Sequence, residues 1–412
     1  MNKTKFVSII LITLFLVFTI CEFSYGNSHI PEDIKVYMIV ANKLTLTDIE
    51  KMPNLYKLIN EGNFGLMNVR GLSGYSGAES FATINASTKA YANNESSQFY
   101  NLVYDYRKIY ENRVGPLESE YAIGNIQIGR LYNQNESNKY SPNLGALGDS
   151  LHNKGFKTAI FGNSDTDEEK IRTSALIPMD SKGLIDYGNL DNILVEDMDY
   201  PYGIRTDYNK ILREVENVKS KASLIVIDTG DLNRLNSYGN FLSLDIFNQK
   251  RSFILEDIDS FIRNLVNLID KENSLLMVLS PNSGEERIDG NRLSPIILWG
   301  KDIKRGLAVS STTNRLGIVS NLDISPTIAD FLNLSTVNMA GDGIQYVEKS
   351  DGFNYIKTIN GRINLTSRVR SKTLLIYGSI SIIIILILGL VFLLNIRLIG
   401  EIINLFEILL LL

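Results

Sequence analysis

Short apolar runs along the chain alternate with longer amphipathic segments. The runs predict buried strands at 35–41, 64–70, 157–162, 223–228, 274–279 and 296–299. The intervening segments predict helices at 53–61, 80–89, 144–154, 206–219 and 245–271. The last of these has one apolar face, formed by Ile254, Ile258, Phe261, Ile262, Leu265 and Ile269. Strands that alternate with helices are typical of a mainly parallel sheet sandwiched by helices, so we predict an α/β fold.

The start of the chain has the pattern of a secretory signal. Lysines precede an apolar run at 6–20, and small residues stand just before position 27. This pattern predicts a signal peptide at 1–26 that is either cleaved or kept as an N-terminal anchor. We therefore expect residues 27–367 to form an extracytoplasmic domain.

The C-terminal part of the chain contains a second membrane signal. Residues 373–396 are almost wholly apolar, and about 20 such residues cross a bilayer as a helix. We predict a transmembrane helix here that tethers the domain to the cell membrane, followed by an apolar tail at 397–412. Arg368, Arg370 and Lys372 precede the span, against the positive-inside rule, but a large translocated domain can override that local bias.

Composition and charge narrow the classes of function. The chain has 412 residues, of which 44% are hydrophobic and 21% charged, so there is ample material for a core. A net charge of −5 argues against nucleic acid as a partner, because phosphate binding needs a basic surface. With one cysteine and two histidines, the chain has no cysteine-based metal site and no site with three histidines. Residues 91–143 are rich in Tyr, Asn and Ser, which predicts an insertion or cap.

Candidate site residues follow the predicted strands. Ligand sites of open α/β sheets form at the carboxyl ends of strands. The polar residues found at or just after these ends are Asn42, Ser76, Asp228, Asp231, Asn282 and Ser283. Three of these residues, Ser76, Asp228 and Asp231, have a second interpretation. The serine is either a nucleophile or a loop residue that caps a helix, and the two aspartates either contact a metal or ligand or cap the next segment.

A separate segment at 310–315 offers hydroxyl groups and the guanidinium of Arg315. This combination suits an anion, so we include Arg315 among the candidate ligand-binding residues. The alternative interpretation of the segment is a structural loop.

Several motifs, in order, resemble the alkaline phosphatase superfamily, which includes sulfatases, nucleotide pyrophosphatases and cofactor-independent phosphoglycerate mutases. The resemblance spans roughly residues 33–345. It is carried by PNLYKLINEG at 53–62, SGAESFATIN at 76–85, SPIILWG at 294–300, DISPTI at 323–328 and GDG at 341–343. It implies an alkaline-phosphatase-like fold with Ser76 at the nucleophile position.

The metal chemistry that this resemblance implies does not match the sequence. Superfamily members hold two divalent metals with aspartates and about three histidines, and those metals activate the nucleophile. This chain has Asn42 at the position of the first-strand aspartate, and Asn282 and Ser283 at positions of a later aspartate and histidine. We therefore expect no cofactor, or at most a single Mg²⁺ or Mn²⁺ ion on Asp228 and Asp231 instead of a two-zinc centre.

Three hypotheses follow for function. The first, which we favour, is a degenerate, non-catalytic domain that binds or supports a component of the cell envelope, either a polymer or a membrane-protein partner. The second is a metal-dependent hydrolase or transferase of phosphate or sulfate esters in the envelope, with Ser76 as its catalytic residue. The third, supported by the apolar tail, is that the chain is a truncated part of a larger multi-span membrane protein.

Overall fold

A computed structural model describes residues 34–284, 290–393 and 406–409 of the protein. The predicted signal segment 1–26 and most of the predicted tail 397–412 lie outside the described residues. The described strands are β1 (Lys35–Val40), β2 (Asn63–Asn68), β3 (Phe99–Asn101), β4 (Ile123–Asn125), β5 (Thr158–Phe161), β6 (Leu184–Ile185), β7 (Tyr187–Asn189), β8 (Leu194–Glu196), β9 (Ile204–Thr206), β10 (Leu224–Asp228), β11 (Ser274–Leu279), β12 (Leu293–Gly300), β13 (Gly306–Val309), β14 (Ile318–Ser320) and β15 (Gln345–Val347).

The α-helices connect or follow these strands. They are α1 (Leu46–Ile49), α2 (Pro53–Glu61), α3 (Glu79–Ala86), α4 (Tyr104–Arg113), α5 (Ile128–Asn135), α6 (Ala146–His152), α7 (Tyr208–Val218), α8 (Asp231–Tyr238), α9 (Leu244–Leu268), α10 (Ile324–Phe331) and α11 (Gly352–Leu393). Short 3₁₀ turns lie at Asn94–Ser96, Thr173–Leu176, Pro201–Gly203, Gly239–Phe241, Lys271–Asn273 and Asn321–Asp323.

The large sheet has the strand order β15-β13-β2-β12-β11-β1-β10-β5-β7, with β14 also paired to β2. Strand β1 runs parallel to both of its neighbours, β10 and β11, and the pairs β10–β5 and β5–β7 are parallel too. Strand β12 is antiparallel to β11 and β2. The predicted α/β architecture with a mainly parallel sheet is confirmed, and each of the predicted strands and helices has a counterpart.

Helix α9 covers the middle of the sheet. Its predicted apolar face is buried in the main core, and the helix packs on α2, α7 and α8. The helix ends at Leu268, three residues before the predicted end, and Lys271 lies in a separate 3₁₀ turn. The Asp270 side chain accepts a hydrogen bond from the backbone N–H of Glu272, which favours this turn over a continued helix.

The predicted insertion at 91–143 contributes to a second, small sheet. Strands β3 and β4 pair antiparallel, and β4 pairs with β6. The apolar cluster below this sheet contains Leu102, Tyr110 and Leu184. Strands this short give no clear alternation of apolar and polar residues, which is why the sequence pattern did not predict them.

Helix α11 runs without a break from the domain into the predicted membrane span. It begins at Gly352, so the boundary drawn at 367 falls inside a continuous helix. Its first turns are held by Phe353, whose ring stacks on Phe64 at 5.7 Å, and by Ile356, which is fully buried. Gly317 has a φ of 76°, a backbone conformation that favours glycine, and a Cβ atom there would lie 2.2 Å from Ile356 Cδ1.

By length and composition, α11 can cross a membrane. Its most apolar 18-residue window has a mean hydropathy of 2.8, and none of that window is buried against the described residues. An apolar surface of this kind is stable in lipid rather than in water. These features support membrane anchoring of the chain.

Candidate functional site

Three adjacent strands bring the predicted site residues to one edge of the sheet. In the register of the sheet, Val40 of β1 lies beside Asp228 of β10 on one side and Leu279 of β11 on the other. Asn42, just after β1, therefore lies between the loop after β10 and the loop that carries Asn282. This is the carboxyl edge of the parallel strands, where the strand order predicts a site.

A cleft of about 410 Å³ lies at this edge. Of the predicted residues, it brings together Ser76, Asn42 and Asn282. The other residues that carry polar side chains into its lining are Lys43, Glu79, Tyr91, Asn93, Asn94, Glu169, Thr173 and Asn233. Because five asparagines line it, we call it the amide cleft.

The asparagines of the amide cleft bind one another and the loops that carry them. Asn42 donates from Nδ2 to Asn233 Oδ1 at 3.0 Å and accepts at Oδ1 from the backbone N–H of Asn282, also at 3.0 Å. Asn282 in turn donates from Nδ2 to the carbonyl oxygen of Gly77 at 3.1 Å. This chain of hydrogen bonds joins the loops after β1 and β11 to helix α8 and to the loop that holds Ser76.

Ser76 lies in a turn that is tied to the start of α3. Gly77 has a φ of 75°, a backbone conformation that glycine adopts without strain. The Glu79 carboxylate accepts from the backbone N–H groups of Ser73 and Gly74, at 2.8 and 3.1 Å. Ser76 itself is exposed, and its hydroxyl group makes no hydrogen bond within the part of the chain that the structure describes.

Asp228, predicted as a metal ligand, is buried behind the cleft and does not line it. Its Oδ2 accepts from the Ser174 hydroxyl at 2.7 Å, and its Oδ1 accepts from the backbone N–H of Gly230 at 2.9 Å. Burial raises the pKa of this carboxyl group to about 6, against the lowering effect of Ser174 and of the charge on Arg234. The two carboxylate oxygens thus already have donors.

Asp231, the second predicted metal ligand, forms a buried ion pair. Its Oδ1 lies 2.6 Å from Arg234 Nη2 and accepts from the backbone N–H of Thr206 at 3.2 Å, while Oδ2 accepts from the Tyr208 hydroxyl at 2.8 Å. Arg234 is 0% exposed and also donates to the carbonyl oxygen of Asn163 at 3.0 Å. A charge this deeply buried needs a partner, and the guanidinium group provides it.

These contacts do not fit a metal centre of the kind that the resemblance implies. Asn42 uses both amide atoms in hydrogen bonds, and the oxygens of Asp228 and Asp231 have protein donors. Within residues 34–284, 290–393 and 406–409, no group of three or more His, Cys, Asp or Glu is arranged to hold a metal ion. Ser174, Tyr208 and Arg234 therefore compete with any cation for the oxygens of the two aspartates.

Two further predicted site residues lie outside the amide cleft. Ser283 donates its hydroxyl hydrogen to the carbonyl oxygen of Asn291 at 2.9 Å and is buried. Arg315 lines a different cleft, beside helix α11. Neither residue lines the amide cleft, although we predicted both as candidate ligand-binding residues.

His152 has a structural environment that its position in the sequence does not suggest. Its Nε2 lies 2.8 Å from Asp186, and its Nδ1 lies 3.4 Å from Asp180. Burial lowers the pKa of the imidazole, yet the hydrogen bonds to both aspartates outweigh it and hold the pKa at about 9. His152 stays charged at neutral pH and fastens α6 to the strands beside it.

Several lining residues of the amide cleft were not predicted from the sequence. Tyr91, Asn93 and Asn94 come from the start of the predicted insertion, and Asn233 lies in the segment that Asp231 caps in one of its two interpretations. The density of asparagine in residues 91–143 was the available signal. Their convergence depends on contacts between loops that are far apart in the chain.

Similar proteins were found only among solved structures. No protein-family model matches the sequence, and a search of curated proteins found no match. Similar solved structures include a protein in the alkaline phosphatase superfamily from Vibrio parahaemolyticus, with 15% identity, 75% of this chain and 69% of that chain covered, and a TM-score of 0.45.

Two further similar structures come from named enzymes. The lipoteichoic acid synthase LtaP from Listeria monocytogenes has 14% identity, with 76% of this chain and 74% of that chain covered and a TM-score of 0.45. The alkaline phosphatase from the Antarctic bacterium TAB5 has 11% identity, with 73% and 98% covered and a TM-score of 0.40. The superfamily that the sequence motifs resemble is therefore represented among the structures similar to this chain.

Proposed function

We propose that the protein is a membrane-anchored, extracytoplasmic binding domain whose amide cleft holds an uncharged, hydroxyl-rich segment of a cell-envelope glycan. In this proposal the cleft has no resident metal ion and does not hydrolyse esters. Helix α11 anchors the domain and keeps the cleft close to the membrane.

The observation that carries this proposal is a pair of buried acceptor atoms without donors, on two residues that line the cleft. The Oδ1 atoms of Asn94 and Asn282 have no hydrogen-bond donor within the described residues. Their orientation is set by the amide nitrogens, which donate to Glu169 and to the carbonyl oxygen of Gly77. A buried acceptor without a donor costs about 1–3 kcal/mol, and ligand hydroxyl groups are donors that recover this energy.

The size and charge of the cleft also favour a neutral ligand. A volume of about 410 Å³ lies in the usual range for small-ligand sites. Glu79 and Glu169 line the cleft together with Lys43, whose Nζ donates to the carbonyl oxygen of Ser283. A phosphate or sulfate ester would meet more negative than positive charge there, whereas sugar hydroxyl groups would bind amides and carboxylates alike.

The alternative, an ester hydrolase or transferase, is favoured by one observation. Ser76 lines the cleft, and its hydroxyl group is exposed. However, no side chain of the described residues accepts a hydrogen bond from it, so the serine lacks the general base that would activate a nucleophile. Within the part of the chain that the structure describes, no group of side chains fits a metal ion, so nothing there supports the other means of activation that the superfamily resemblance implies.

We expect the full chain in neutral detergent to bind neutral oligosaccharides and to lose affinity when the two acceptors are removed. Asn94→Ala and Asn282→Ala should each weaken binding about five- to tenfold, because each removes one hydrogen bond to the ligand. Isothermal titration with a panel of neutral hexose and N-acetylhexosamine oligomers measures the effect. Asn60→Ala is the matched control, because Asn60 is exposed on α2 and does not line the amide cleft.

A different outcome would support the enzyme instead. If the full chain cleaves an aryl phosphate or aryl sulfate ester and Ser76→Ala abolishes that cleavage, the binding proposal is wrong. Unchanged affinity in both asparagine variants would also contradict it.

A further inference from the structure

A second cleft lies beside helix α11, on a different side of the Ser76 loop from the amide cleft. It has a volume of about 660 Å³. Its lining includes three arginines, which are Arg292, Arg315 and Arg370, so we call it the basic cleft. Apolar side chains also line it, among them Leu293, Ile318, Ile363 and Leu374, together with hydroxyl, amide and glycine residues.

One face of α11 forms a wall of the basic cleft. Ile363, Ser367, Arg370 and Leu374 are spaced at i, i+4, i+7 and i+11, which places them in one row along the helix. Leu374 is also the first residue of the uncharged apolar stretch that is long enough to cross a bilayer. When α11 spans a membrane, the basic cleft therefore lies at the height of the lipid headgroups.

The charge of the cleft suits a phosphate group. Arg315 and Arg370 are exposed and form no ion pair within the described residues, and no described carboxylate lines the cleft. The Tyr75 ring lies 4.2 Å from the guanidinium carbon of Arg292 and 5.4 Å from that of Arg70, which concentrates further positive charge here. The planar guanidinium fork matches the oxygens of phosphate, and it binds them through paired hydrogen bonds.

We propose that the basic cleft binds the phosphate-bearing headgroup of an anionic membrane phospholipid. Arg315 and Arg370 hold the phosphate, while Leu293, Ile318 and Ile363 contact the glycerol and the first methylene groups. The acyl chains continue along α11 beyond Leu374, in the bilayer. The basic residues before the span, which run against the positive-inside rule, then serve to hold lipid on the side of the domain.

Native mass spectrometry of the full chain in neutral detergent tests this proposal. The probe is phosphatidylglycerol, titrated into the protein, and the readout is the fraction of protein that retains one lipid. We expect the Arg315→Gln/Arg370→Gln variant to bind at least about tenfold more weakly, because it loses charged hydrogen bonds to phosphate. The matched control is Arg362→Gln/Lys372→Gln, which removes the same charge from exposed positions of α11 that do not line the cleft.

Three outcomes would overturn the proposal. An equal loss of lipid binding in the control variant would indicate that basic residues attract anionic lipid in general and that the cleft is not a specific site. Unchanged lipid retention in the Arg315→Gln/Arg370→Gln variant would show that these arginines do not bind the lipid. If glycerol phosphate or inorganic phosphate binds as tightly as the lipid, the site holds free phosphate and the lipid is not its ligand.

A folding defect in the double variant would not prevent the test. The fluorescence of Trp299, the single tryptophan, reports whether the sheet is intact. If the double variant unfolds, Arg370→Gln alone, at an exposed helical position, is compared with Lys372→Gln in the same titration.

Discussion

Replacing Arg234 with leucine is expected to lower the free energy of unfolding by about 3–5 kcal/mol, the usual result of removing one partner of a buried ion pair. The side chain is 0% exposed, and its loss leaves the Asp231 carboxylate without its partner charge. The hydrogen bonds from Arg234 to Asn163 and Thr206 are lost as well.

A denaturant titration of the full chain, followed by Trp299 fluorescence, measures this effect. Trp299 lies in β12 and is 6% exposed, so its emission should change when the sheet unfolds. Arg213→Leu is the control, because Arg213 is exposed on α7 and should change stability by less than about 0.5 kcal/mol. Asp231→Asn/Arg234→Leu should be more stable than Arg234→Leu, since it removes the unpaired charge.

This first prediction separates two interpretations of Asp231. If the carboxylate is structural, Arg234→Leu destabilises the metal-free protein and the added Asp231→Asn change recovers part of the loss. If the carboxylate served a metal ion, a divalent cation should stabilise Arg234→Leu by pairing with it. Equal stabilities of Arg234→Leu and Arg213→Leu would show that the ion pair does not hold α8 in place.

Replacing Asp228 with asparagine is expected to stabilise the protein at pH 7.5. Burial raises the pKa of this carboxyl group from its ordinary 3.8 to about 6, so the folded protein holds the proton more tightly than the unfolded chain does. The contribution of Asp228 to stability therefore falls as pH rises from 4 to 6 and stays at its lowest value above pH 6. Asparagine carries no charge and removes a cost of up to about 3 kcal/mol at pH 7.5.

Stability curves of the full chain and of Asp228→Asn at several pH values test this second prediction. The two curves should lie close together near pH 4 and diverge between pH 4 and 6. Asp167→Asn, at an exposed position, should follow the unsubstituted chain at each pH. A loss of stability in Asp228→Asn at pH 7.5 would mean that a positive partner, such as a bound cation, compensates the carboxylate.

Much of the fold follows from local sequence patterns. Helix α9 was predictable because its apolar residues repeat at helical spacing over about four turns. Strands β1, β10 and β11 were predictable because each consists mostly of apolar residues. The antiparallel direction of β12 could not be predicted, because a continuous apolar run has the same pattern in a parallel and in an antiparallel strand.

The part of the site that lies at the strand ends could be predicted from the sequence. Asn42 and Asn282 follow strands that are neighbours in the sheet, so the position of the strand ends already brings them together. Asn94 and Asn233 reach the same cleft through the folding of distant loops, which no local pattern encodes. Arg315 follows no strand of the central group, and the structure places it beside α11 instead.

The burial of the Asp228 and Asp231 carboxylates could not be predicted from the sequence. Asp228 and Asp231 stand where ligands of a metal would be expected, and only their contacts reveal other partners. Ser174 and Arg234, which provide those contacts, have no motif that marks them.

Metal content is the measurement that tests the central claim, a binding cleft without a resident metal ion, most directly. The full chain in neutral detergent is dialysed in turn against Zn²⁺, Mn²⁺, Mg²⁺ and Ca²⁺ and then analysed for bound elements, alongside Asp228→Asn. We predict that no metal approaches one ion per chain and that the variant gives the same result. Near-stoichiometric metal that is lost in Asp228→Asn would contradict the account and would make the ester hydrolase the better proposal.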